Sequence, residues 1–111
     1  MQVQIVLAPD LALNVDEFIT EWNATPQTQV LAHAARGDAA AVAFPLTPEM
    51  QHALVFLAGV ASTVTVDVLK DVLKTQITAW IAQQHKAQPQ PIQVDSVTQP
   101  DGAVLLVVHE E

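Results

Sequence analysis

The side chains able to do chemistry in this sequence are few and scattered. Histidines stand at His33, His52, His85 and His109, and no two lie at the helical or short-loop spacing that brings two imidazoles onto one metal. His109 with Glu110 and Glu111 could ligate a divalent cation, although three polar residues closing a last strand are more simply its solvated end. His52 falls one helical turn after Glu49, a spacing that favours a surface contact over an acid–base couple. Ser62 and Ser96 lack the flanking glycines of a nucleophile elbow, and Gly37, Gly59 and Gly102 are too dispersed to cradle a phosphate. The paired acids Asp16 with Glu17 and Asp67 with Asp71 sit where the helix dipole and solvation account for them. With no cysteine there is no thiol nucleophile, disulfide or cysteine-ligated metal. No catalytic, cofactor-binding or metal-ligating residue can be named, and a non-catalytic protein without a cofactor is the expectation.

Composition narrows the classes further. The 111 residues suit one domain, spanning 1–111. Hydrophobic residues make up 50% and charged residues 14%, which excludes a disordered polar chain and leaves the surface to Gln, Thr and small residues. The formal charge of -8, from four basic and twelve acidic residues, disfavours nucleic acid and anionic membrane surfaces as partners. Met1 to Ala8 lacks the cationic start and long apolar stretch of a secretory peptide, so a cytoplasmic location is expected. Met50 to Val66 is uncharged, but Gln51, His52, Gly59, Ser62, Thr63 and Thr65 interrupt it and no basic cluster flanks it, which argues against a membrane span.

The elements that must position any site follow from periodicity. Val3, Ile5 and Leu7 alternate with Gln2 and Gln4, which predicts a half-buried strand that Pro9 ends. Asn14 as N-cap, with Asp16 and Glu17 in the first turn and Val15, Phe18, Ile19 and Trp22 on one stripe, predicts an amphipathic helix from Val15 to Asn23. The stretch from Thr25 to Phe44 carries helix signals at Thr25, Pro26 and Gly37. It also carries the strand-like alternation of Val30, Ala32 and Ala34, which favours a strand near Gln29 to Ala34. Thr47, Pro48 and Glu49 resemble a helix start, and the run to Ala58, apolar nearly all round, predicts a helix from Pro48 to Ala58. Val68, Leu69, Val72, Leu73, Ile77, Trp80 and Ile81 define a helix from Thr65 to Gln84, ended by Pro89 and Pro91. Ile92 to Thr98 and Ala103 to His109 form a hairpin around Gln99, Pro100, Asp101 and Gly102, the outgoing strand being a candidate edge and the apolar return strand an interior one.

The expected fold is therefore α+β, a small sheet of three or four strands with a C-terminal hairpin and helices packed mainly on one face. Apolar residues exceed what so small a core can absorb, which points to a protein partner or a homo-oligomer. Val55, Phe56, Val94 and Val107 are the candidate interaction residues. A small-ligand pocket between the sheet and the 48–58 helix is the alternative.

The Phe18–Trp22 helix, the Pro48, Glu49, Met50 start, the Ala58, Gly59 break, the Thr78, Ala79, Trp80, Ile81 helix end and the Gln99–Gly102 turn together resemble the effector-associated constant component family. The resemblance spans most of the chain. It implies an accessory, adaptor-like domain of bacterial conflict systems, encoded beside or fused to protease-type effectors and without catalytic residues of its own. The alanine-rich Gly37 to Phe44 connector and the absence of basic residues at Pro89 to Pro91 depart from that family's pattern.

Overall fold

The computed structural model describes residues 2–8, 11, 13–37, 48, 53–85 and 91–110. They form an α+β fold with five strands: β1 (Val3–Leu7), β2 (His33–Arg36), β3 (Leu54–Ala58), β4 (Ile92–Thr98) and β5 (Val104–Glu110). Three helices accompany them: α1 (Val15–Ala24), the single turn α2 (Pro26–Gln29) and α3 (Val66–His85). The sheet runs in the order β2-β3-β1-β5-β4, so it has five strands where three or four were expected. It is mixed: β1 and β5 are parallel, and every other pairing is antiparallel.

The extra strand is β3, and it corrects the helix expected from Pro48 to Ala58. Residues 54–58 are extended and paired on both sides, Leu57 opposite Val3 of β1 and opposite Ala34 of β2. An apolar run facing every direction fits a helix buried all round, but equally a five-residue strand buried on both faces. The pocket imagined between the sheet and a 48–58 helix loses the part of its wall assigned to 54–58. Of the start signal at Thr47, Pro48 and Glu49, only Pro48 falls within the described residues.

Two further boundaries shift. The Thr25–Pro26 signal does start a helix, α2, and the strand follows it as His33–Arg36 rather than Gln29 to Ala34. Ala32 and Ala34 are buried as their alternation required, whereas Val30 stands 74% exposed in the turn between α2 and β2. β1 was expected to be half-buried, but its five residues are all buried because it sits third of five in the sheet.

The remaining elements form where and why the sequence indicates. Asn14 Oδ1 accepts from the Glu17 N–H at 2.8 Å, and the Glu17 side chain reaches back to the Asn14 N–H, a reciprocal cap that starts α1. In the hairpin, the Gly102 N–H donates to the Gln99 carbonyl at 2.9 Å, and Gly102 has φ +90, a backbone region open to glycine at little cost.

One face of the sheet carries the main core. Val3, Ile5 and Leu7 of β1, Val55 and Leu57 of β3, and Val104, Leu106 and Val108 of β5 pack against Phe18 and Trp22 of α1 and Leu69, Leu73, Ile77, Trp80 and Ile81 of α3. Phe18 joins the two helices, stacked on Trp22 with ring centroids 5.8 Å apart and edge-on to Trp80 at 5.7 Å. Both tryptophans are therefore core residues. On the opposite face Val6, Leu54 and Leu105 are buried, with Val97 and Val107 packed around them. No helix among the described residues is long and apolar enough to cross a membrane.

Candidate functional site

The four candidate interaction residues divide between the two faces. Val55 and Val94 belong to the main core under the helices. Val107 and Phe56 are half-buried and lie on the opposite face, where Val6 is the register partner of both Val107 and Leu54, and Phe56 neighbours Leu54 through Gln4. The fold does not bring the four together as one patch.

A polar cluster on that opposite face joins the two hairpin strands. His109 Nε2 lies 2.7 Å from Asp95 Oδ2, and Gln93 Nε2 donates to Asp95 Oδ1 at 3.0 Å. His109 Nδ1 lies 2.9 Å from the Glu110 carbonyl oxygen. Carbonyl and carboxylate oxygens only accept, so the ring satisfies both contacts at once when it is the doubly protonated imidazolium. The hydrogen bond from His109, helped by that from Gln93, holds the Asp95 carboxyl below its usual value. His109 thus turns to Asp95 on the neighbouring strand, and Glu111 lies outside the described residues. Among the described residues no three histidines or acids converge in a way that could hold a metal ion. His33 is exposed on β2, far along the strand order from β5, and His52 lies outside the described residues.

The two outer strands of the sheet differ most in what could bind. Each edge strand presents a row of backbone N–H and C=O groups on its free side. In β2 the Gly37 N–H donates to the Leu54 carbonyl, so the alternate residues Ala32, Ala34 and Arg36 turn outward. That row is closed by α1. Asn23 Oδ1 accepts from the Ala34 N–H at 2.9 Å, Asn23 Nδ2 donates to the Ala34 carbonyl at 3.0 Å, and Trp22 Nε1 donates to the Ala32 carbonyl at 3.0 Å. Thr28 in turn donates its hydroxyl to the Trp22 carbonyl at 2.6 Å, which satisfies an orphan acceptor at the end of α1 and fixes the pair in place. Arg36 reaches Asp16 across 2.6 Å of exposed surface.

Among the described residues β4 has no such lining. The Gln99 N–H donates to the Ala103 carbonyl, and on the other side of β5 Val104 donates to Gln2 of the β1 side. Alternation from these bonds turns Gln93, Asp95 and Val97 toward β5, and Ile92, Val94, Ser96 and Thr98 outward. At the start of the strand, where α3 packs against it, Ile92 and Val94 are only 8% and 2% exposed. Ser96 and Thr98 are exposed, and their outward backbone groups have no partner among the described residues. Sequence reasoning picked out the 92–98 strand as an edge but not its open half; the signal available was the change from Ile92 and Val94 to Ser96 and Thr98 at the same alternate positions.

No family model, curated protein or solved structure matches this chain.

Proposed function

We propose that the chain is a non-catalytic protein-interaction module, an adaptor that receives an extended segment of a partner along the open half of β4. The observation that carries this reading is the contrast between the two sheet edges. The outward groups of β2 at Ala32 and Ala34 are bonded to Trp22 and Asn23, whereas those of Ser96 and Thr98 on β4 are exposed. A sheet whose one edge is closed by dedicated side chains, and whose other edge is open among the described residues over a short polar stretch, is arranged for addition of one strand rather than for indiscriminate edge pairing. The resemblance to the effector-associated constant component family supports the same accessory role.

Site-specific photo-cross-linking in the cells that make the protein tests this. A photoreactive residue at position 98 is expected to give one discrete cross-linked species that is absent when the residue is placed at position 29 and lost on adding Ser96→Pro, which removes an outward N–H. Cross-linking from position 98 no greater than from position 29 would overturn the reading.

A further inference from the structure

Resting on that reading, we propose that the strand accepted by β4 is basic, with an apolar residue opposite Val97 and a lysine or arginine opposite Asp95. The length of the site follows from its ends. Val94 is buried at one end, and at the other the chain turns at Pro100, which has no N–H, so the open stretch is Asp95 to Thr98. An incoming antiparallel strand exchanges backbone bonds with Ser96 and Thr98. Its residues opposite Val97 and Asp95 then fall on the face that carries Val6, Leu54 and Leu105, two positions apart and pointing the same way.

Chemistry selects each position. Val97 is a partly buried apolar side chain packed on that cluster, so an apolar neighbour extends its cover. Asp95 is exposed and ionised, and the chain as a whole carries a formal -8. The charges that bear on Asp95 are the His109 ring beside it and Lys70 of α3, with Glu110 next to His109 and Asp101 exposed in the adjoining turn. The Asp95 oxygens already accept from Gln93 and His109, but the exposed Asp101 and the chain's formal -8 make the surroundings acidic, which favours a cationic partner over an acidic one. A second copy of this chain is disfavoured by the same charge. It would bring another -8 to the contact.

The test uses the full chain, labelled with ¹⁵N, and two synthetic peptides. One is acetyl-Thr-Thr-Val-Thr-Lys-Thr-amide, which places Val opposite Val97 and Lys opposite Asp95; the other carries Glu in place of Lys. The Ser96 and Thr98 amide resonances are expected to shift and saturate with millimolar Lys peptide, with affinity about fivefold weaker for the Glu peptide, the difference shrinking at high salt. Asp95→Asn should reduce the preference for Lys while leaving the Ser96 and Thr98 shifts in place, and it serves where Ser96→Pro disturbs the fold. Equal responses to the two peptides, no response at Ser96 and Thr98, or the same shifts on concentrating the protein alone would each overturn the basic-strand proposal. Failure of the peptides alongside successful cross-linking from position 98 removes this inference and leaves the interaction reading standing.

Discussion

The Asn23 carboxamide occupies the place that a neighbouring strand would take beside Ala34. Its oxygen accepts from the Ala34 N–H and its nitrogen donates to the Ala34 carbonyl, at 2.9 and 3.0 Å. A side-chain amide has the donor and acceptor of a peptide group at similar spacing, so one asparagine at the end of α1 ends the sheet at β2.

Replacing Asn23 with alanine leaves a donor and an acceptor of a buried residue unmatched, since Ala34 is 1% exposed. The expected loss is about 1–3 kcal/mol per unsatisfied group, partly recovered by water entering the half-buried position of Asn23. Urea denaturation measures it. Hydrogen exchange at the Ala34 amide should accelerate in the variant beyond what the drop in global stability explains, and an unchanged rate there would show that Asn23 does not close the edge.

Gly37 follows β2 so close to β3 that a side chain there would force a neighbour to shift. A Cβ built there would lie 2.7 Å from both Gln4 Oε1 and the Leu54 Cβ. The glutamine tip can swing aside, but the Leu54 Cβ is fixed to a backbone paired on both sides. Gly37→Ala is therefore expected to destabilise the protein by about 1–3 kcal/mol through displacement of β3. Thermal unfolding would register this, and a variant as stable as the parent would show that the two strands separate more easily than their pairing implies.

The Asp95 carboxyl titrates below the ordinary 3.8 because His109 and Gln93 hydrogen-bond its ionised form. A carboxyl whose native value is depressed contributes stability above its unfolded value, and that contribution is lost as pH falls through the native value. Between neutral pH and about pH 4 Asp95 should thus add nothing to the pH dependence, and below that it should steepen the decline. Asp95→Asn removes the extra steepness. Denaturation midpoints of the two proteins collected down the acid range should converge at the lowest pH where folding persists.

How far the sequence revealed this architecture depended on where each signal was stored. The Asn14 cap, the α3 stripe and the Gln99–Gly102 turn are local, each contained in a few consecutive residues, and each appears as expected. β3 was misjudged because Leu54 to Ala58 has no alternation to display when both faces are buried. That error also scattered the candidate site. On a helix Val55 and Phe56 would sit side by side; on a strand they point to opposite faces, so Val55 enters the main core and Phe56 does not. Val94 and Val107 part for the same reason, since Val94 pairs with Val108. The closure of β2 by Asn23 joins residues 11 positions apart through a single side chain, with no repeat to announce it.

The parallel pairing of β1 with β5 binds Val3 to Val104 and Leu7 to Val108, almost at opposite limits of the described chain. During synthesis β1 leaves the ribosome before the other described elements, and β5 follows after all of them. Until then β1, whose residues end up buried on both faces, can gain β3 as a neighbour but remains an unprotected margin on its other side. Nascent chains stalled before residue 104 should consequently be the form most prone to aggregate and the one that most needs chaperone shelter. Arrival of β5, rather than of any described helix, then sets the moment at which β1 is protected on both sides.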